Sequence, residues 1–403
     1  GTTISPYLFF WEASEEVEEE KSEGRAKLSE RRGATDKEIK IGNTSPYSGP
    51  ASAYGSYGKA QAAWFKKIND EGGINGRKIN FISLDDGYSP PKTLEQARKL
   101  VEQDKVLFLF ATLGTPTNSA IHKYMNQKKV PQLFVQTGAS KWGDPKNFPW
   151  TMGWQTNYFS EGKVFAQAIL DNQPNAKIAI IYQNDDFGKD YVAGLEAGLG
   201  DKKNMIVARE TYEVTDPTVD SQMVKLKSSG ADVIMNFSTP KFAAQIIKKL
   251  AEINWKPTHY MTQVSSSTGS TLVPAGLENS KDIITSGFFK DPTDPQWKDD
   301  KAMIEYNAWF KKYLPNADPL DTYYLQGMLN AQTVEHVLRQ AGNNLTRENI
   351  MKQAANIKDL KLPLLLPGIN VQTGPDDFFP IERLQLAKFN GKEWVLYGKI
   401  YGD

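Results

Sequence analysis

Carboxylate pairs are the first candidates for chemistry in this 403-residue sequence. Asp85-Asp86 and Asp185-Asp186 each stand where a β-rich run gives way to a helical one, and adjacent carboxylates can in principle transfer protons. At such junctions acidic side chains commonly cap the next helix or bind its free amides. We therefore interpret both pairs as structural contacts, and keep Phe187, next to the second pair, as a candidate cover over a ligand.

Residues for metal, nucleophilic or phosphate chemistry are missing from the sequence. Its three histidines, His122, His259 and His336, have no HxH or HExxH spacing, and there is no cysteine. A GxSxG elbow is absent, and GSYGKA at 55–60 lacks the first glycine and the Ser or Thr of a P-loop. We expect no metal, no cofactor and no enzymatic turnover, which leaves binding as the class of function.

Small and hydroxylic residues follow two neighbouring β-rich runs, as ATLGTPTNSA at 111–120 and QTGASKWGD at 136–144. The first segment is typical of a helix start, with Thr115 as N-cap and Pro116 at the first helical position. Free amides at a helix start, together with a hydroxyl, can hold an anion without a lysine. We predict that Thr115 and Ser140 hold one carboxylate together.

The elements that must position these residues occur in two similar series. β-rich runs alternate with helical stretches from IKIGNTSP at 39–46 to VPQLFVQT at 130–137, and again from FPWTMGW at 148–154 to PTHYMT at 257–262. Such alternation indicates parallel sheets with helices on both faces, whose strand ends form a ligand crevice. The pattern predicts an α/β protein of two Rossmann-like lobes, completed by the remaining residues and a terminal hairpin around Asn390-Gly391.

Length and composition agree with two lobes and exclude other classes. A chain of 403 residues exceeds the size at which one core keeps growing. Basic and acidic residues balance at 48 each, and the aromatic residues are spread along the chain, so we expect no nucleic-acid partner. No apolar run reaches the roughly 18 residues of a spanning helix.

The first 37 residues differ from the rest in composition and are interpreted as an extension. Residues 14–32 are mostly Glu, Lys, Arg and Ser, as in a solvated helix or a tail. The extension either has no role in the main body or is a docking or dimer-forming arm that places Tyr7, Phe9, Phe10 and Trp11 on a partner. It lacks a signal-peptide pattern, so we expect that an exported form has lost that signal.

The main body resembles the type I periplasmic binding proteins of branched-chain amino acid ABC transporters. The resemblance is carried by KIGNTSPYSGPASAYGSYGKAQAAWFKKINDEGGINGRKINFISLDDGYSPPKTLEQARKLVEQDKV, by KIAIIYQNDDFGKDYVAGLEAGL and by GLENSKDIITSGFF, and it runs in order over roughly 38–401. It implies lobe I at 38–154 plus 290–378 and lobe II at 155–289 plus 379–403, joined by a hinge that closes over a ligand. It also implies a monomeric, periplasmic or lipid-anchored receptor that serves a membrane permease. A sensor on the same fold would continue past Asp403, so we expect a stand-alone receptor.

The resemblance also implies seven ligand-binding positions. They are an aromatic residue of the first loop, a carboxylate-binding hydroxyl, a small-small-hydroxyl triplet, a closing aromatic residue and a wall position that is often aromatic. In this sequence these positions are occupied by Tyr54, Thr115, Gly138, Ala139, Ser140, Phe187 and Thr239.

An acidic partner for a ligand's ammonium group is missing where the family implies one. Amino-acid binders place an acidic residue after the strand matching THYMT, whereas this sequence has Gln263 and Val264. An ammonium buried without a carboxylate is costly. We therefore expect a carboxylate ligand without an ammonium. Asp321 could supply the missing charge, so an amino acid remains the alternative ligand.

Aromatic residues near the expected crevice favour an aromatic or otherwise extended apolar acid. Benzoate-type and cinnamate-type acids, which some relatives bind, match this description. The aromatic candidates are Tyr54, Trp154, Tyr158, Phe187 and Tyr324.

Overall fold

Two β-sheets organise residues 33–402, the part of the chain that the computed structural model describes. The first sheet has the strand order β2-β1-β3-β4, and every neighbouring pair in it is parallel. Ile41 of β1 pairs with Phe81 of β2 on one side and with Phe108 of β3 on the other. The strands are β1 (Glu38–Ser45), β2 (Lys78–Asp85), β3 (Phe108–Phe110) and β4 (Gln132–Leu133).

The second sheet has seven strands in the order β11-β10-β9-β8-β7-β5-β6. Strands β5 to β9 run parallel, while β10 is antiparallel to both of its neighbours. Phe389 pairs with Trp394 across the β10–β11 turn, which confirms the predicted terminal hairpin. The strands are β5 (Ile178–Gln183), β6 (Ile206–Tyr212), β7 (Val233–Phe237), β8 (Thr258–Met261), β9 (Ile284–Gly287), β10 (Leu384–Phe389) and β11 (Trp394–Tyr401).

Helices connect the strands and cover both sheets. They are α1 (Gly55–Asp70), α2 (Pro90–Arg98), α3 (Thr115–Lys128), α4 (Tyr158–Asn172), α5 (Asp186–Leu199), α6 (Asp220–Ser228), α7 (Pro240–Glu252), α8 (Val273–Ala275), α9 (Lys301–Tyr313), α10 (Tyr323–Ala341) and α11 (Arg347–Ala354). Short 3₁₀ or π turns lie at Ser52–Tyr54, Lys99–Gln103, Ser140–Trp142, Gly200–Met205, Gln263–Ser265, Thr268–Leu272, Glu278–Ser280 and Pro295–Trp297. Within residues 33–402, no helix combines the length and the apolar character needed to cross a bilayer.

Each sheet belongs to its own lobe, and the predicted pair of Rossmann-like lobes is confirmed. Lobe I is the four-stranded sheet with α1–α3 and α9–α11, and its buried residues form a large apolar cluster around helix α10 and a smaller one beside α2 and α3. Lobe II is the seven-stranded sheet with α4–α8, and it has apolar clusters on both faces. The chain passes between the lobes after β4, after β9 and before β10, and these three crossovers form the hinge region.

The first described residues pack against lobe I. Ala34 is buried and bridges to Ile39, and the Arg77 guanidinium donates a hydrogen bond to the Thr35 carbonyl at 2.7 Å. Residues 33–37 of the expected extension therefore contact the main body, while its first 32 residues lie outside the described part of the chain. The lobe boundaries expected from the resemblance remain predictions.

The carboxylate pairs make local structural contacts, as interpreted from the sequence. Asp185 is the N-cap of α5 and accepts hydrogen bonds from the amides of Phe187 and Gly188, at 3.0 and 3.3 Å. Asp85 and Asp86 accept from loop amides after β1 and β2, and Asp86 also accepts from a hydroxyl of α2 at 2.7 Å.

Candidate ligand-binding site between the lobes

A small cavity lies between the lobes at the carboxyl ends of strands from both sheets. Parallel α/β sheets bind ligands at this edge, because the loops and helix starts that follow the strands converge there. None of the lining side chains, all within residues 33–402, carries a charge. The lining residues are Tyr54, Tyr57, Tyr88, Leu113, Gly114, Thr115, Gln136, Gln155, Tyr158, Phe187, Thr239 and Val264.

Aromatic rings pack closely at the wall of this cavity and behind it. The Tyr323 ring lies 5.4 Å from the Tyr54 ring and 5.0 Å from the Tyr57 ring, and the Tyr158 ring lies 5.3 Å from the Phe187 ring. The free volume is about 20 Å³, roughly the room of one water molecule. A ligand of several heavy atoms therefore requires the lobes to separate or the rings to rotate.

Helix α3 starts at the cavity, and the sequence prediction for its first residues was wrong by one position. The N-cap is Gly114, at φ 104, and not Thr115, so no side chain caps this helix. A Cβ at Gly114 would lie 2.7 Å from the Tyr88 ring, so that glycine allows this close approach. The Thr115 hydroxyl instead shares a 2.6 Å hydrogen bond with the Thr137 hydroxyl.

Helix α7 of lobe II also starts at the cavity without a side-chain cap. Its N-cap is Thr239, whose hydroxyl donates a 2.9 Å hydrogen bond to the Gln183 side chain. Helix N-termini carry partial positive charge and favour anions. The cavity therefore combines uncharged walls with two helix starts, one from each lobe, that favour a negative group.

Ser140 lies in a contact between the lobes and does not line the cavity. Its hydroxyl and its amide donate hydrogen bonds to the Asp190 carboxylate of α5, at 2.7 and 2.8 Å. Burial raises the pKa of Asp190 above its usual value. Beside this contact, Lys141 forms a 3.2 Å ion pair with Asp186. The predicted pairing of Ser140 with Thr115 is thus not seen, because Asp190 takes both Ser140 donors and Thr137 takes the Thr115 hydroxyl.

Trp154 and Tyr324 belong to the core of lobe I and not to the cavity. The Trp154 indole donates to the Thr333 hydroxyl at 2.9 Å, and the Tyr324 ring packs 5.4 Å from Phe310. Successive helix residues point about 100° apart, so Tyr323, one position earlier, reaches the aromatic group at the cavity. Its hydroxyl donates to the backbone carbonyl after β8, at 2.6 Å.

Gly138 and Ala139 support the site from behind. A Cβ at Gly138 would lie 2.3 Å from the Thr156 carbonyl oxygen and 2.7 Å from the Tyr158 ring. The Gly138 carbonyl also accepts a hydrogen bond from the Tyr158 amide at 2.8 Å. Ala139 is buried in the apolar cluster that joins the two lobes. Gly138 lies in the loop after β4. Because it has no side chain, the first crossover, which includes Thr156, can approach this loop closely.

Gln263 and Asp321 stand near the cavity without lining it. The Gln263 backbone amide donates to Glu161 at 3.0 Å, and its buried side-chain nitrogen has no partner among residues 33–402. The two Asp321 oxygens accept from Ser56 at 2.6 Å and from Ser267 at 3.0 Å. Ser56 belongs to lobe I and Ser267 to lobe II, so Asp321 joins the lobes. Because both of its oxygens accept hydrogen bonds, Asp321 is not a free anion facing a ligand.

Several cavity residues were missed from the sequence. Tyr57 lies one helical turn after Tyr54, and that spacing was an available signal. Tyr88 follows β2 of lobe I, and its hydroxyl accepts a hydrogen bond from the side-chain amide of Gln183 in lobe II, at 3.1 Å. Tyr88 therefore joins the lobes. Gln136 stands in a segment whose hydroxyls alone predicted binding, and no pattern in the sequence indicates Gln155.

Glu161 is a buried carboxyl that no pattern in the sequence indicates. One of its oxygens accepts from the Tyr191 hydroxyl, and the other accepts from the Gln263 amide at 3.0 Å and the Ser286 hydroxyl at 2.7 Å. Burial raises its pKa to about 7. The Tyr191 ring stacks 4.7 Å from Tyr158, so this network supports a cavity wall.

Two α/β lobes around a cavity at their strand ends define the class of two-lobed solute-binding receptors. The chain belongs to the periplasmic binding protein family, whose family model matches residues 38–393. This membership confirms the expected fold and a solute-binding receptor as opposed to an enzyme, and it implies an extracytoplasmic location.

Relatives of known name support the same assignment. The chain is 26% identical over 331 residues to Leu/Ile/Val-binding protein homolog 1 of Brucella abortus (strain 2308), covering 77% of this chain and 81% of the relative. It is 23% identical over 271 residues to Leu/Ile/Val-binding protein homolog 7 of Brucella suis biovar 1 (strain 1330), covering 64% of this chain and 65% of that relative.

Solved structures share the fold at low sequence identity. A branched chain amino acid ABC transporter from Thermus thermophilus with bound valine superposes with a TM-score of 0.82 at 16% identity, covering 92% of this chain and 98% of the other. A fatty acid ABC transporter substrate-binding protein from Thermomonospora curvata gives a TM-score of 0.74 at 20% identity, covering 92% and 94%.

Proposed function

We propose that this protein is the receptor of an ABC importer for a small carboxylate without an ammonium group. The ligand binds between the lobes and is delivered to a membrane permease by the monomeric receptor. The observation that carries the proposal is the cavity itself, whose lining has no charged side chain while two uncapped helix starts face it. A carboxylate suits such a site, because helix amides and hydroxyls stabilise an anion.

The lack of a free anion argues against an ammonium on the ligand. The buried carboxyls Asp190, Asp321 and Glu161, like Asp185 before α5, each accept hydrogen bonds from protein groups and do not line the cavity. An ammonium placed in the cavity would lose its hydration without gaining a carboxylate partner.

The aromatic lining favours an aromatic or extended apolar acid of the benzoate or cinnamate type. Five of the lining residues have aromatic rings, and rings contact flat apolar groups over a large area. These residues are Tyr54, Tyr57, Tyr88, Tyr158 and Phe187.

A branched-chain or other amino acid is the second candidate ligand. It is favoured by the names of the Brucella relatives and by the valine in the Thermus thermophilus structure. A thermal-shift screen separates the candidates, with benzoate, cinnamate and hexanoate on one side and leucine and valine on the other. A ligand at about 100 times its dissociation constant adds roughly 2.7 kcal/mol to the unfolding free energy.

Thr115→Ala tests whether a hit in that screen binds at the proposed site. We expect this change to weaken binding of the acid by about 1 to 3 kcal/mol, because a hydrogen bond to a charged group is lost. Thr218→Ala, at an exposed position before α6, is the matched control and should leave affinity unchanged. A shift with leucine alone, or full affinity in Thr115→Ala, would contradict the proposal.

A further inference from the structure

A chain of buried side-chain amides runs from the core of lobe I to the cavity wall. The amide nitrogens of Gln61 and Asn330 donate to the Gln136 oxygen, at 3.3 and 2.9 Å. The Gln136 nitrogen in turn donates to the Gln155 oxygen at 2.9 Å. Gln136 and Gln155 are the two members of this chain that line the cavity, and each is about 95% buried.

The direction of this chain is fixed at its inner end. The Asn330 nitrogen also donates to the backbone carbonyl of Phe134 at 2.9 Å, and a carbonyl can only accept. The amide of Asn330 therefore cannot be reversed, which makes Gln136 present its oxygen to Asn330 and its nitrogen to Gln155. Amide orientation follows from the network in which each amide takes part, so Gln155 presents its oxygen to Gln136.

The Gln155 nitrogen is consequently a hydrogen-bond donor that remains for the cavity. No hydrogen bond joins it to a group within residues 33–402, although the other end of the same amide is engaged and Gln155 lines the cavity. A donor at a cavity wall loses contact with water when a ligand enters, which is unfavourable unless the ligand supplies an acceptor. The cavity wall therefore carries a donor that an acceptor atom of a ligand would satisfy.

The Gln155 donor belongs to a different hydrogen-bond network from the Thr115 hydroxyl, which is proposed to bind the carboxylate. Gln136 and Thr137 are consecutive residues whose side chains make different contacts. The Thr137 hydroxyl meets Thr115, whereas the Gln136 amide meets Gln155 and the core of lobe I. Two different parts of one ligand would contact these two groups.

We propose that Gln155 determines ligand specificity by donating a hydrogen bond to a neutral acceptor oxygen on the ligand, such as an ether, carbonyl or hydroxyl oxygen. This inference rests on the proposed function and makes the ligand class narrower: a carboxylic acid with a second, neutral oxygen. A purely hydrocarbon acid would leave the Gln155 donor without a partner.

Matched acids that differ by one oxygen test this inference. Binding of 2-, 3- and 4-methoxybenzoate is compared with the corresponding ethylbenzoates, and 4-methoxybutanoate with hexanoate, by calorimetry on the full chain. We expect at least one oxygen-containing acid to bind about 5- to 10-fold more tightly than its hydrocarbon partner, since one net hydrogen bond is gained. In Gln155→Met this ratio should fall to about one, while the hydrocarbon acid keeps its affinity.

Gln167→Met is the matched control, because Gln167 is exposed on α4 and bonds only to Asp171 there. It should keep the preference of the unchanged protein. Equal affinity for the two acids of every matched pair would overturn the role of Gln155 and leave the carboxylate proposal intact. So would a preference for the oxygen-containing acid that survives in Gln155→Met. If none of these acids binds, the carboxylate proposal fails and the inference fails with it.

Discussion

At the scale of single residues, Glu161 is the group whose burial has the clearest consequence. Its carboxyl is 1% exposed and touches only neutral partners, namely Tyr191, Ser286 and the Gln263 amide. Burial raises its pKa from 4.5 to about 7, since the charged form is poorly solvated there. The folded protein therefore holds this proton more tightly than the unfolded chain does.

The shift predicts a pH dependence of stability. The stabilisation linked to the Glu161 proton is fully present below about pH 4.5, decreases as pH rises, and is lost above about pH 7. We expect the unfolding free energy of wild type minus that of Glu161→Gln to decrease by about 3 kcal/mol from pH 4.5 to pH 8. Denaturant unfolding at several pH values measures this difference, in which other titrating groups cancel.

Glu95→Gln, at an exposed position of α2, is the control for that comparison. Its difference from wild type should stay within a few tenths of a kcal/mol over the same pH range. A constant difference between wild type and Glu161→Gln would show that burial does not hold the Glu161 proton.

At the scale of elements, the contact between the turn after β4 and helix α5 replaces the expected ligand contact of Ser140. Ser140 gives two hydrogen bonds to Asp190, and this contact exists only when the lobes are close. Such a contact strengthens ligand binding by stabilising the closed arrangement. The neighbouring Lys141–Asp186 pair is half exposed and contributes little.

A double-mutant cycle separates the two roles of Ser140. If Ser140 acts through Asp190, Ser140→Ala and Asp190→Ala should each weaken binding of the tightest acid by about 1 to 3 kcal/mol. The double variant should then be no weaker than the weaker single variant. Additive losses, measured by calorimetry, would instead assign Ser140 to direct ligand contact.

Element order could be predicted from the sequence, whereas side-chain direction could not. Alternating β-rich and helical runs identified both sheets and the last hairpin, because periodicity and turn residues are local signals. The rotation of α10 is set by packing against α1 and lobe II, and this packing turns Tyr323 towards the cavity. The sequence carries no local signal for that rotation, so it predicted Tyr324 instead. The N-cap at Gly114 was missed for a similar reason, since Tyr88, distant in sequence, makes glycine necessary there.

At the scale of the whole molecule, the two lobes and their three crossovers enclose a cavity that is nearly full of side chains. Binding must therefore be coupled to lobe separation and closure, as in other two-lobed binding proteins. The cluster of buried residues that joins the lobes includes Tyr54 and Tyr57 from lobe I and Phe187 and Tyr191 from lobe II. The uncharged lining within this cluster is the basis for expecting an acid without an ammonium.

Calorimetry with two matched pairs tests that central claim most directly. Leucine differs from 4-methylpentanoate, and phenylalanine from 3-phenylpropanoate, by a single ammonium group. We predict that at least one of the two acids without an ammonium binds at least about 100-fold more tightly than its amino-acid partner, because the cavity leaves an ammonium without a carboxylate. Tighter binding of leucine or phenylalanine than of its deaminated partner would contradict the account.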